Sequence, residues 1–297
     1  MLNINELKKY PIIYIIGHRR TDADSAISSY LLSKILNKLG VKCEYAVLDK
    51  NYDIVYDDYD LIKDNIEYKP TIIKESEIDN KHFILVDHND PIQSINNDKN
   101  VVGIIDHHFS NENNPDCLIG NYASNGLFIY QLYKGIYDFS DYEKELILYT
   151  VLSDTAYFRT SRYKETDAKL VQELNEKINL DFDLLRKKYF RTTDFNKDVE
   201  TNFNEAYKKY KFDDFEFGSS FVRASREDVK YLKEYLEYLK KVLSNWLFIW
   251  YQYDDKESKT FAYFKNNNII KDFNYNYIAS RANTIVKDIL ESEKNMK

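Results

Sequence analysis

Three short apolar runs, Ile12 to Ile16, Phe83 to Val86 and Val101 to Ile105, each end directly in ligand-type side chains. The residues that follow them are Gly17-His18-Arg19-Arg20-Thr21-Asp22-Ala23-Asp24-Ser25, Asp87-His88-Asn89 and Asp106-His107-His108. Continuous apolar runs rich in β-branched residues read as strands covered on both faces, the habit of parallel sheets. An open parallel sheet gathers its functional groups outside the carboxyl ends of its strands. The expected fold is therefore α/β, an N-terminal, mainly parallel sheet flanked by helices, with a smaller C-terminal α+β domain.

The rest of the chain fits around that frame. An amphipathic stretch from Ser25 to Leu39 reads as a helix closed by Gly40, and Lys42 to Leu48 as a further strand. Asp49 to Lys81, acidic and rich in tyrosine, carries helical and short extended pieces that periodicity does not place. From Ser124 the pattern turns helical, over Leu127 to Tyr137, Tyr142 to Leu152, Lys164 to Ile178 and Phe182 to Tyr189. The polar stretch Arg191 to Lys197 marks a boundary, so residues 1–190 form the expected first domain, 191–197 a hinge and 198–297 the second. In the second, strands are expected at Phe215 to Arg223, Trp246 to Tyr251 and Lys259 to Phe264, with helices at Glu227 to Leu243 and Tyr277 to Leu290.

Composition narrows the partners. A net charge of -7 across 297 residues leaves no basic surface for long nucleic acid, and a small, metal-masked anion fits better. Cys43 and Cys117, the two cysteines, are far apart and in no C-x-x-C pair, which fits buried thiols in a reducing cytoplasm. No leader pattern and no run of roughly 18 apolar residues suggests a membrane partner.

His18, Asp22 and Asp24 make an H-x-x-x-D-x-D cluster in one turn at a helix start, where N–H groups and dipole favour an anion. Asp near a helix start is most often a cap, but four of the five histidines, His18, His88, His107 and His108, fall in the three ligand segments. Asp154, in Leu152-Ser153-Asp154-Thr155 at the end of an apolar helical run, adds a carboxylate that needs a partner. His18, Asp22, Asp24, Asp87, His107 and Asp154 together suffice for two adjacent divalent cations. Two ions roughly 3.5–4 Å apart hold a bridging hydroxide and clamp phosphoryl oxygens for in-line attack on phosphorus. Mixed N/O ligands without thiolate favour Mn²⁺, with Co²⁺ or Mg²⁺ as alternatives.

In order, and over most of residues 12 to 170, these segments resemble the DHH phosphoesterase superfamily, and within it the manganese-dependent family II inorganic pyrophosphatases. Val86-Asp87-His88-Asn89, Ile105-Asp106-His107-His108 and Leu152-Ser153-Asp154-Thr155 followed by Thr166-Asp167 carry that likeness. The resemblance implies that His18, Asp22 and Asp87 bind one metal and that Asp24, Asp87, His107 and Asp154 bind the second, with Asp87 as the bridge. It implies that His108 touches substrate phosphate or protonates the leaving group, and that Asp106 and His88 orient their neighbours. Asp87, Asp106 and His108 are thus the catalytic candidates. His108, Ser124 and Arg281 are the substrate-contact candidates, Arg281 within Ser280-Arg281-Ala282-Asn283 matching a Ser-Arg-Lys-Lys-type motif. A small phosphate-containing substrate, domain closure and a homodimer are further implications.

Two departures bear on substrate. Arg20-Thr21 stands where the family has Asn-Pro, and the lysines after Arg281 are missing. The leading expectation is a pyrophosphatase or short-chain polyphosphatase. The alternatives are a DHH phosphodiesterase acting on short oligonucleotides or cyclic dinucleotides and a non-catalytic phosphate-binding relative. The phosphodiesterase branch carries a Gly-Gly-Gly-His-type motif near the C-terminus, and nothing like it follows Gly218.

Overall fold

The computed structural model describes residues 1–48, 56–109, 117–212, 215–225, 228–253, 258–267 and 269–294, in two compact units, Met1–Phe190 and Arg191–Lys297. The first unit runs α1 (Ile4–Leu7), β1 (Ile13–Ile16), α2 (Ala23–Lys38), β2 (Cys43–Leu48), α3 (Tyr56–Asn65), β3 (Thr71–Ile73), β4 (His82–Val86), β5 (Val101–Asp106), β6 (Cys117–Ile119), α4 (Asn125–Tyr133), α5 (Asp141–Asp154), α6 (Glu165–Ile178) and α7 (Phe182–Tyr189). Its six strands lie in the order β3-β2-β1-β4-β5-β6, and every pair is parallel. The chain builds outward from β1 to β3, then returns to the other side of β1 with β4. Strand order therefore reverses between β1 and β4, and the crevice beyond their carboxyl ends is where such a sheet takes a ligand.

Alternation sorts the strand side chains into two layers. Ile13, Ile15, Ile84, Val86 and Ile105 face one way into a core shared with Ile27, Leu31 and Ile35 of α2, Leu127 of α4 and Ile147 and Val151 of α5. Tyr14, Ile16, Phe83, Leu85 and Ile104 face the other way. The sheet is flanked by helices as expected, and this second layer is closed in part by Ile78 from the 3₁₀ segment Glu75–Asn80 and by Ile95 from a loop. Covering both faces explains why each strand is apolar at successive positions.

The helix after β1 is capped at Asp22, whose side chain accepts the Ser25 N–H, and Gly40 follows its last turn at φ +84°, a backbone state that disfavours any residue with a Cβ. A capping box of Ser140 and Glu143 starts α5. In the unplaced region, α3, β3 and the 3₁₀ segment are the helical and extended pieces, while residues 49–55 lie outside the described ones. The three-residue strands β3 and β6 were not read from sequence because they are too short to show a period.

The second unit contains α8 (Val199–Ala206), β7 (Lys208–Phe212), β8 (Phe215–Ala224), α9 (Val229–Val242), β9 (Trp246–Gln252), β10 (Lys259–Asn266), β11 (Ile269–Tyr275), a π-helical turn Arg281–Val286 and α10 (Lys287–Lys294). Its sheet order is β11-β10-β9-β8-β7, with β8 and β9 parallel across α9 and the other pairs antiparallel. Trp246, Phe248 and Trp250 of β9 pack with Tyr231, Tyr235 and Leu239 of α9. The Tyr235 and Phe248 rings stack at 4.4 Å. The expected strands and the α9 helix are present, but β7, β11 and α8 were not anticipated. The last helix begins at Arg281, capped by Ser280, not at Tyr277. Both missed strands are sheet edges, and β7 reads Lys-Lys-Tyr-Lys-Phe, a charged pattern that protects an edge and hides the strand from a hydrophobicity scan.

Among the described residues no helix is long and apolar enough to cross a membrane.

Candidate metal centre

The polar groups meet where β1, β4 and β5 end and where α2 and α4 begin. Three sets of side chains bring ligand atoms within 4.8 Å of one another: His18, Asp22 and Asp87; Asp24, Asp87, His107 and Asp154; and Asp87, Asp106, His107 and His108. Asp87 belongs to all three. Its backbone sits at φ +60°, a left-handed state that Asp tolerates better than most side chains, immediately after the last residue of β4.

The candidate ligands are held from behind. On His18, Nδ1 lies 2.8 Å from the Arg19 carbonyl, and because a carbonyl only accepts, the proton sits on Nδ1. Nε2 then faces Asp22 Oδ2 at 3.1 Å and Asp87 Oδ2 at 3.3 Å. His107 repeats the arrangement, with Nδ1 donating to the Tyr122 carbonyl at 3.1 Å and Nε2 lying 3.1 Å from Asp87 Oδ1 and 3.1 Å from Asp154 Oδ2. Two imidazoles thus aim an Nε2 at carboxylate oxygens. Without a proton on that nitrogen or a cation between, acceptors face acceptors, so the donor set fits divalent cations.

Asp24 is completely enclosed and takes three donors: Ser28 Oγ at 3.0 Å, Gly126 N at 2.9 Å and Asn125 N at 2.6 Å. The latter two are free N–H groups of the first turn of α4, so a helix start points at this carboxylate. Asp87 accepts the Ser25 hydroxyl at 2.7 Å. Asp106 Oδ1 receives the N–H groups of His107 (2.7 Å) and His108 (3.1 Å) and His108 Nδ1 (2.9 Å), while Oδ2 receives Asn89 Nδ2 (2.6 Å). Asp106 therefore orients the His107–His108 turn. Its ring bonded at Nδ1, His108 is partly exposed and is the accessible imidazole of the pair.

The electrostatics of the cluster show a deficit of positive charge. Burial, followed by the charges of Asp87 and Asp154, raises the Asp24 carboxyl well above the usual carboxylate range. Burial would raise Asp87 too, but hydrogen bonds from His107 and His18 overcome it and hold the group well below that range. For His107, burial and Arg162 work against the proton, yet bonds to Asp154 and Asp87 prevail and raise its affinity for it.

His88 does not join the ligands. Its Nδ1 donates to the Val86 carbonyl at 2.8 Å and its Nε2 meets Ser94 Oγ at 2.7 Å, while the Ser94 carbonyl accepts Arg19 Nε at 2.9 Å. Burial pushes His88 down to about 4, so the ring is neutral and orients this loop. Ser124, expected as a substrate contact, is fully enclosed: its Oγ bonds Thr150 Oγ1 at 2.8 Å and caps α4 through Leu127 N at 3.1 Å. That hydroxyl faces the protein interior, which corrects its expected role to a structural one. In the second unit, Arg281 donates Nη1 to the Ala206 carbonyl at 2.9 Å and lies 5.2 Å from the Phe221 ring centre. Arg20 has a left-handed backbone at φ +57° and is half-buried.

Sequence reading missed Arg162. Its Nη1 bonds Asp154 Oδ2 and lies 3.3 Å from His107 Nε2. Between Asp154 and Arg162, Ala156, Tyr157 and Phe158 hold consecutive left-handed backbones at φ +48°, +58° and +66°. Left-handed non-glycine residues cost roughly 1–2 kcal/mol each, and successive ones are unusual. The turn is pinned by Tyr157 N to the Leu152 carbonyl at 2.7 Å, Phe158 N to Thr155 Oγ1 at 2.9 Å and Thr160 N to the Thr155 carbonyl at 3.0 Å. An arginine in a polar turn reads as solvated, and no spacing rule would have placed it here.

The comparisons agree with this architecture. The DHH family, N-terminal domain, matches residues 12–127. A probable manganese-dependent inorganic pyrophosphatase of Clostridium acetobutylicum is 27% identical over 252 residues, covering 77% of this chain and 76% of that protein. A probable manganese-dependent inorganic pyrophosphatase of Lactobacillus helveticus is 29% identical over 177 residues, and the match spans 57% of this chain and 56% of that protein, little more than half its length. Among solved structures, a Methanococcus jannaschii protein provisionally assigned to the family II inorganic pyrophosphatases superposes with a TM-score of 0.71 at 19% identity, covering 92% of this chain and 97% of that one. At that identity the superposition establishes the fold. Residues 12–127 thus match the DHH family, N-terminal domain, and the chain is similar over a longer span to probable manganese-dependent inorganic pyrophosphatases.

Proposed function

We propose that the protein is a metal-dependent phosphohydrolase that cleaves a phosphoanhydride, pyrophosphate or a short polyphosphate, with two divalent cations, Mn²⁺ first among them. The observation that supports it is the convergence of His18, Asp22, Asp24, Asp87, His107 and Asp154 at the switch point of a parallel sheet, with Asp87 common to both ligand sets. His18, Asp22 and Asp87 would hold one ion, and Asp24, Asp87, His107 and Asp154 the other. Bound there, divalent cations supply positive charge to phosphoryl oxygens and lower the pKa of an attacking water.

The chain's own residues do the rest. Arg19 and Tyr122 carbonyls fix the tautomers that present Nε2 of His18 and His107. Asp106 holds the Nδ1 proton of His108, so that in its imidazolium form His108 would give its second proton, on Nε2, to the departing phosphate and return to the neutral ring. Asp106 itself is a positioning residue. Arg281 is assigned to substrate phosphate on the resemblance, since a guanidinium suits bidentate contact.

Phosphate release from pyrophosphate, tripolyphosphate, longer polyphosphate and a dinucleotide, each with Mn²⁺, Co²⁺ or Mg²⁺, tests the reading. Turnover of pyrophosphate or tripolyphosphate with Mn²⁺ is expected. Cleavage of the dinucleotide alone would replace it with a phosphodiesterase.

A further inference from the structure

The two ligand sets differ in one respect that bears on how they fill. The set of Asp24, Asp87, His107 and Asp154 has a guanidinium within it: Arg162 Nη1 bonds Asp154 Oδ2 and lies 3.3 Å from Nε2 of His107, the nitrogen that the tautomer leaves for an ion. The Arg162 and Asp154 side chains are 10% and 9% exposed, so water screens this pair little.

We propose that Arg162 is an internal rival of the second divalent cation, neutralising the Asp154–His107 corner until an ion displaces it. The proposal rests on the two-cation reading above. A guanidinium nitrogen and a metal ion cannot share Asp154 Oδ2 and His107 Nε2 at bonding distance, because both need the same lone pairs. Arg162 is also tethered to Asp154 by only the pinned left-handed turn, so its effective concentration at the carboxylate is high and an incoming ion competes with an intramolecular partner. The consequence is ordered filling: His18, Asp22 and Asp87 load first, and the His107 set loads at higher metal concentration. The strong hold on one ion and weak hold on the other would make the free Mn²⁺ level a control on the number of assembled sites.

Calorimetric titration of the whole 297-residue chain with Mn²⁺, paired with equilibrium dialysis, gives both dissociation constants without relying on activity. The wild-type protein should bind one Mn²⁺ at least ten-fold more tightly than the second. Arg162→Gln should tighten the second by ten-fold or more, about 1.4 kcal/mol, and leave the first within two-fold. Arg162→Lys, which keeps a charge but loses the fork, should fall between, and it carries the test if the glutamine variant does not fold. Two equal sites in the wild type, or an unchanged second constant in both variants, overturns the competition and leaves the two-cation reading standing. A change confined to KM for pyrophosphate overturns it by making Arg162 a substrate contact. Failure of every protein to take up Mn²⁺ overturns the metal reading and the competition with it.

Discussion

Both units have apolar cores, but among the described residues only the first gathers buried carboxylates at one end of its sheet. In Met1–Phe190 the carboxyl end of the sheet encloses Asp24, Asp87, Asp106 and His107 with almost no access to water. In Arg191–Lys297 the sheet encloses Phe217, Trp246, Phe248 and Trp250, and the arginines Arg223 and Arg281 lie against the ring of Phe221 at 5.0 and 5.2 Å. Burying aromatic surface favours folding outright. Burying several carboxylates does not, because desolvation costs more than partial pairing returns. The difference teaches where chemistry outweighs stability: the first unit gathers buried charge at the carboxyl end of its sheet, at a cost that its candidate metal centre explains.

The comparison breaks most visibly at Asp87. Asp87→Ala should abolish turnover of pyrophosphate and tripolyphosphate, by about a thousand-fold or more in kcat/KM, since one carboxylate serves both ligand sets. Retained activity in a phosphate-release assay would remove it from the bridging role. Next is Trp250→Ala in the second unit, expected to cost about 3–5 kcal/mol in urea unfolding. Mn²⁺ uptake by the first unit should survive that substitution at denaturant concentrations below the transition, and loss of uptake would mean that the units do not divide labour as described.

Asp106→Asn sharpens the contrast within the first unit. It keeps the shape but weakens the acceptor for two N–H groups and an imidazole, and kcat should fall about 10- to 100-fold with Mn²⁺ stoichiometry unchanged. A loss of bound metal would make Asp106 a ligand. Ser140→Ala removes the α5 cap far from the polar cluster, with about 1 kcal/mol less stability and unaltered kinetics expected. The smallest effect concerns Cys43, whose thiol is pushed up to about 12 chiefly by burial. Thiolate is the reactive form, so iodoacetamide at pH 8 should leave Cys43 unmodified in the folded protein, as mass spectrometry of peptides would show.

Legibility followed periodicity and chemistry. The long strands and helices of the first unit stood out because both faces of the sheet are covered, and the candidate ligands stood out because they gather in short segments just after apolar runs. Cys117–Ile119 and Thr71–Ile73 are three-residue strands and left no pattern to read. The edge strand Lys208–Phe212 carries the charges that edges need, so its composition argued against it. Arg162 illustrates the hardest case: its position depends on three successive left-handed residues after α5, a backbone path that no local propensity favours. Ser124 shows the reverse error, a polar residue near a site whose hydroxyl serves a helix start.

Gly17 gives a way to retune the centre without changing any of its ligands. A Cβ built there would stand 2.6 Å from Cβ of Ser25, the residue whose hydroxyl steadies Asp87. Swapping this glycine for alanine would push the α2 amino end away from the sheet by a fraction of an ångström, and the shared carboxylate would lose its prop. On the two-cation reading, the spacing between the ions would thus be set at a position that carries no side chain, and a graded series there would read out how tightly turnover depends on that gap.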